Sequence, residues 1–209
     1  MMTKPMRSIT RAADRRGILI GQLERIFLEE GFRDLTVDDL AARLKCSKRS
    51  LYQMASSKQE LFLLILEQFL DRIRHLGNRG ALEHDDPELR LAAYMEPGYL
   101  ESRRASRRFV EDIRSFRAAA LMLESHQRER MATLRDIVED GIRRGKFRKM
   151  NSFLVAEAYL ATIAKIDDPE FLRRANLGFG EALTALFDFL AYGLFQRDQP
   201  LKPPGSRHR

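Results

Sequence analysis

The chain has 209 residues, 44% of them hydrophobic and 32% charged, which excludes a disordered polymer and allows one large or two small domains. The formal net charge of +7 suits a polyanionic partner, and a single cysteine excludes an internal disulfide. No run approaches the roughly 18 apolar residues of a membrane span, and the one leader-like stretch, GILIGQLERIFL, is broken by Gln22, Glu24 and Arg25, so no membrane and no signal peptide are expected and the compartment is expected to be cytoplasmic.

Residues 1–10 carry Lys4, Pro5 and Arg7 without helical spacing and read as a loose arm. From Arg11 to Glu30 the apolar positions Ile20, Leu23, Phe27 and Leu28 predict a helix, which Gly31 ends. Thr36 is the N-cap of a short second helix with Asp38 and Asp39 in its first turn and Val37, Leu40, Ala41 and Leu44 on its apolar face. After a break at Lys45-Cys46, Ser47 caps a third short helix containing Ser50, Leu51 and Met54. Ser57 and Glu60 predict a capping box for a long fourth helix reaching Leu76.

Residues 77–86, with two glycines and a polar cluster, read as a linker. Asp86-Pro87 starts a helix that Pro97-Gly98 is expected to stop near Met95. Helical patterns then cover about 100–116, 118–144, 151–166 and 169–195, and residues 196–209 read as a disordered tail. The expected fold is all-α, with about nine helices: an N-terminal helix-turn-helix three-helix domain and a C-terminal helical bundle. The expected division is 1–60 for the arm and helix-turn-helix and 61–195 for the connecting helix with the bundle.

Two short capped helices separated by three or four residues make a helix-turn-helix, whose second helix enters the major groove of DNA. The residue types fit. Arg49 matches guanine and Gln53 adenine, Tyr52 offers a hydroxyl on a rigid ring, and Ser47, Lys48 and Ser50 are donors near a helix start. With Thr36 and Lys58, these are the expected DNA-binding residues: Thr36, Ser47, Lys48, Arg49, Ser50, Tyr52, Gln53 and Lys58. Lys4, Arg7, Arg11, Arg15 and Arg16 are placed to reach backbone or minor groove.

The stretch EEGFRDLTVDDLAARLKCSKRSLYQMASSKQELF resembles the DNA-binding segment of the tetracycline-repressor-like (TetR) transcriptional regulators. Gly31, Phe32, Thr36, Leu40, Ala41, Ser47, Lys48, Leu51, Tyr52, Ser57, Lys58, Glu60, Leu61 and Phe62 carry the likeness over about residues 15–75, and GIRRGKFR at 141–148 is also similar. The turn departs from the family's usual Gly-Val with Lys45-Cys46, Arg49 stands at a position usually small, and Met54-Ala55 replaces an aromatic pair. Cys46 is expected to be a small apolar plug between the two helices.

The resemblance implies a ligand-responsive transcriptional regulator: a homodimer, formed through its last two helices, that represses until a small-molecule effector releases it from double-stranded operator DNA. The nearly all-round apolar run from Ala182 to Leu194 independently predicts a helix buried on more than one side. Phe109, Phe116, Met122 and Met131 are the candidate effector-lining residues, and the arginines at 103, 104, 107, 108, 114 and 117 read as a solvated face paired with Glu101, Glu111 and Asp112. The four histidines (His75, His84, His126, His208) lack zinc spacing, and no phosphate loop or nucleophile motif is present, so no metal, cofactor or catalytic residue is expected. An alternative is an all-α small-molecule-binding or protein-interaction module whose helix-turn-helix is inactive, motivated by the altered turn and missing aromatics.

Overall fold

The computed structural model describes residues 6–166 and 168–194, with side chains from residue 15 onward. Among them are ten helices and no strand: α1 (Met6–Glu30), α2 (Val37–Arg43), α3 (Lys48–Tyr52), α4 (Lys58–Leu82), α5 (Pro87–Ser102), α6 (Arg107–Ser115), α7 (Arg117–Arg143), α8 (Ser152–Ile166), α9 (Pro169–Ala175) and α10 (Phe179–Leu194). Helices α1–α3 form the N-terminal unit, and α4 leads from it into a bundle in which α5 packs on α4, α7 and α10, and α8 on α7 and α10. The tail at 196–209 lies outside the described residues.

Four expectations change. The arm at 1–10 is helical from Met6. The linker expected at 77–86 is the last turn and a half of α4, followed by a short connection, because Gly77 and Gly80 serve close packing rather than a break. A Cβ on Gly77 would lie 2.7 Å from the Tyr94 carbonyl, and one on Gly80 would lie 2.9 Å from that of Ala93. Pro97-Gly98 does not stop α5, which continues to Ser102. The helix expected over 169–195 is two, separated by Asn176 in the left-handed region (φ 52°).

Two apolar clusters fill the interior. One joins α1–α4 but also takes in Phe109, Ile113 and Ala119, well past residue 60. The other joins α5, α7, α8 and α10. A row of rings crosses the first cluster: Phe32 stacks on Phe62 at 4.1 Å, Phe62 meets Phe109 edge-on at 5.7 Å, and Phe109 meets Phe69 at 5.9 Å.

Candidate functional site

Thr36 forms a complete capping box: its Oγ1 accepts from Asp39 N–H at 3.1 Å, while Asp39 Oδ2 accepts from Thr36 N–H at 2.8 Å. These bonds hold the Asp39 carboxyl below the usual range. The expected box at Ser57 is only half made. Ser57 Oγ accepts from Glu60 N–H, but the Glu60 carboxylate reaches back one residue further, to Ser56 N–H and Oγ.

The turn between α2 and α3 closes without glycine. Lys45 takes the left-handed conformation (φ 49°), its N–H donates to Ala42 O at 3.2 Å, and Cys46 N–H donates to Ala41 O at 3.0 Å. That pair of bonds is a Schellman motif, and Cys46 is its inward residue, packed against the N-terminal core. Burial pushes the Cys46 thiol above its ordinary value, against the pull of nearby Arg15, so it is a poor nucleophile.

Ser47 Oγ then accepts from Ser50 N–H at 3.1 Å and starts α3. Leu51 is buried under this helix, while Lys48, Arg49, Tyr52 and Gln53 are exposed on its outer side. Lys48 Nζ pairs with Asp38 at 2.5 Å, both exposed. Among the described residues, Arg49 and Gln53 side chains have no hydrogen-bonding partner. Lys58 is committed differently from its neighbours: Nζ donates to Arg33 O at 2.9 Å and Leu35 O at 2.6 Å and lies over the Phe32 ring. Two of its three hydrogens thus tie the loop before α2, leaving one for phosphate. Arg15 and Arg16 are exposed on α1, whereas Lys4 and the side chains of Arg7 and Arg11 lie outside the described residues.

The N-terminal unit is tied to the bundle at two places. The buried Asp112 of α6 accepts from Phe32 N–H at 2.5 Å and from Arg33 N–H at 3.3 Å. Arg72 of α4 makes a bidentate bridge to the buried Glu24 of α1 at 2.7 and 2.8 Å and reaches Glu101 of α5 at 2.9 Å. Arg104 joins the same carboxylates. Elsewhere in the arginine-rich segment, Arg107 pairs with Glu111, while Arg103 donates to the Thr184 hydroxyl and Arg114 lines the cavity below.

Between α4, α5, α6, α7, α8 and α10 lies a mainly apolar cavity of about 100 Å³. Phe109 and Met131 line it as expected, but Phe116 and Met122 do not: they pack against the N-terminal cluster, Phe116 lying 5.9 Å from Phe32. The polar lining that pattern reading missed is His126 and Arg130, one turn apart on α7, both 6% exposed. Their charge type hid them, because an isolated Arg or His in a long polar helix reads as solvated. Among the described residues, His126 Nδ1 has no hydrogen-bond partner. Burial, with Arg130 and Arg74 adding to it, pushes the His126 pKa down to about 3.

The helix α10 is not buried all round. Ala182, Leu183, Leu186, Leu190, Ala191 and Leu194 face the bundle, while Phe189 and Tyr192 are exposed, as are Phe153 and Leu154 of α8. Among the described residues, no single helix is long and apolar enough to cross a membrane.

Known proteins share this architecture. The profile of the family described as bacterial regulatory proteins, tetR family, matches residues 19–65, which contain α2, α3 and the start of α4. The uncharacterized HTH-type transcriptional regulator YvaF of Bacillus subtilis is 24% identical over 84% of this chain and 93% of its own length. The HTH-type transcriptional activator FasR of Mycolicibacterium smegmatis is 37% identical over 40% of this chain and 38% of its own. A transcriptional regulator from Saccharomonospora viridis, solved in complex with choline, shares the fold with a TM-score of 0.71 at 14% identity, covering 89% of this chain and 100% of that one. With a closed helix-turn-helix, an outward-facing third helix and a profile match spanning both, residues 19–65 are similar to the helix-turn-helix segment of the tetR family of bacterial regulatory proteins, and the chain shares the fold of a solved transcriptional regulator.

Proposed function

We propose that the chain is a homodimeric, effector-responsive repressor that acts in the cytoplasm, with α3 in the major groove of its operator and the cavity behind α6 as its effector site. The outward set Lys48, Arg49, Tyr52 and Gln53 around a buried Leu51 carries this reading. Arg49 and Gln53 have their polar groups available for base edges, whereas Ser47, Ser50, Lys48 and Tyr52 suit phosphates. Thr36 contributes by fixing α2, and Lys58 by holding the loop before it. Residues 1–60 then form the reading part and residues 61–195 the sensing and pairing part.

The exposed apolar residues of α8 and α10 favour pairing of two copies there, which would set two α3 helices about 34–36 Å apart, one turn of DNA. An effector between α4 and α6 has a route to that spacing, since Phe109 and Ile113 line the cavity and Asp112, between them in sequence, holds the loop leading to α2. The regulator from Saccharomonospora viridis, bound to choline, supports small-molecule sensing by this fold. The inactive alternative loses one of its two motives, since Lys45 closes the turn that glycine usually closes, and Met54 and Ala55, which stand in place of the aromatic pair, pack partly buried against the N-terminal core.

The test is binding of purified protein to DNA upstream of its own gene, with salt titration. Lys48→Ala should weaken binding to all sequences and reduce the salt slope by about one; Arg49→Ala should relax sequence choice. Equal, salt-insensitive binding by all three proteins excludes the reading. FasR is an activator, so the sign of regulation is to be read from transcription of the bound promoter with and without the protein.

A further inference from the structure

The cavity contains a charge without a counter-charge. Arg130 is 6% exposed, yet its guanidinium meets only carbonyls, Tyr94 O at 3.2 Å and Ile73 O at 3.5 Å, and the Tyr94 ring at 4.7 Å. No carboxylate pairs with it among the described residues, and no Asp or Glu lines the cavity. Two glycines make room for it. A Cβ on Gly77 would stand 3.2 Å from one terminal nitrogen, and a Cβ on Gly98 3.2 Å from the other. One turn earlier on the same face, the buried His126 Nδ1 meets no hydrogen-bond partner among the described residues.

A buried cation held only by long bonds to neutral carbonyls is an unfavourable way to join three helices, since apolar side chains do so without desolvating a charge. The arrangement makes sense when an anion completes it. A planar guanidinium presents paired N–H donors to a carboxylate, and a neutral imidazole adds a donor or acceptor alongside. Apart from Ser102, Arg114 and Gln127, the remaining lining, including Phe69, Phe109, Met131 and Ile163, is mainly apolar. At roughly 10–15 Å³ of such space per water-sized group, about 100 Å³ admits about seven to ten heavy atoms.

We propose that the effector is a small amphipathic organic acid, its carboxylate held by Arg130 beside His126 and its hydrocarbon body lying against the phenylalanines of α4 and α6. This rests on the cavity being the effector site, and the two ideas separate experimentally. Titration calorimetry on the full chain compares octanoate with 1-octanol, which have nearly the same hydrocarbon body and differ in charge. The expected result is that octanoate binds roughly ten- to hundred-fold more tightly than octanol, as suits a charge-assisted hydrogen bond. In Arg130→Met that ratio should collapse to about one or below with octanol still bound. In Arg130→Lys, a point charge without the fork, the ratio should be intermediate. A ratio within one variant is insensitive to a general loss of stability. Octanol binding as tightly as octanoate to the wild type overturns the acid proposal and leaves the effector cavity standing. Binding of neither overturns both.

Discussion

Asp112 accepts a 2.5 Å hydrogen bond from the backbone N–H of Phe32, 80 residues earlier in the chain, and so closes the C-terminus of α1 with a carboxylate borrowed from α6. Gly31 is required there twice over. It sits at φ 76°, and a Cβ on it would lie 2.5 Å from Asp112 Oδ2. Asp112→Ala leaves two N–H groups, those of Phe32 and Arg33, without their acceptor and should cost about 1–3 kcal/mol in urea unfolding. Asp112→Asn, which keeps one acceptor, should cost less. The alanine variant should also bind DNA with an affinity that responds less to effector, and an undiminished response would show that α6 does not carry the signal.

Lys45 holds a left-handed conformation that disfavours side chains by roughly 1–2 kcal/mol. Lys45→Gly should therefore stabilise the protein by about 1 kcal/mol, seen as a higher urea midpoint, without altering sequence preference on DNA. An unchanged or lower midpoint would mean that the exposed lysine makes up the difference elsewhere.

Asp38 neutralises Lys48 on the outward face of α3, the face proposed to read DNA. Replacing it by Asn should raise affinity for all sequences a few-fold, consistent with the roughly 0.2–1 kcal/mol of an exposed pair, and steepen the salt slope by about one. Fluorescence anisotropy at several salt concentrations reads both.

The apolar residues left outside on α8 and α10 predict the quaternary state. Phe153→Asp combined with Phe189→Asp should shift sedimentation from dimer to monomer and weaken binding to a two-half-site operator far more than binding to a single half-site. A double variant that sediments as a dimer would move the interface elsewhere.

His126 predicts a pH dependence. Its pKa falls from 6.5 to about 3 on folding, because burial disfavours the charged ring and Arg130 and Arg74 repel it. The unfolded chain thus binds a proton below pH 6.5 that the folded chain refuses. Above pH 6.5 this carries no penalty; as pH falls from there toward 3 it destabilises the folded chain by at most about 1.4 kcal/mol per pH unit. Urea midpoints at pH 7.5 and 5 should therefore differ more in wild type than in His126→Phe.

Local chemistry explains which features were legible in the sequence. Thr36, Ser47, Ser57, Asp86 and the helices they start were readable because a cap acts on a backbone two or three residues away. The glycines at 77 and 80 and Pro97 were misleading because their roles are set by a partner helix. The Ala93 carbonyl, which the ring nitrogen of Pro97 cannot serve, lies against Gly80 of α4. The outward side of α3 follows from spacing, whereas the cavity follows from how six helices meet. Phe116 and Met122 share the periodicity of true lining residues but face the other core, and Arg130 has a residue type that pattern reading assigns to solvent.

The row of rings from Phe32 through Phe62 and Phe109 to Phe69 has a consequence for modular exchange. Its first ring belongs to the loop before the reading helices and its last two line the cavity, so both functions draw on one continuous interior. A cut at residue 60, between the proposed reading and sensing parts, severs that interior. Chimeras that graft this reading head onto a foreign sensor should fold well only when α6 travels with the head, and the native chain should melt in a single transition.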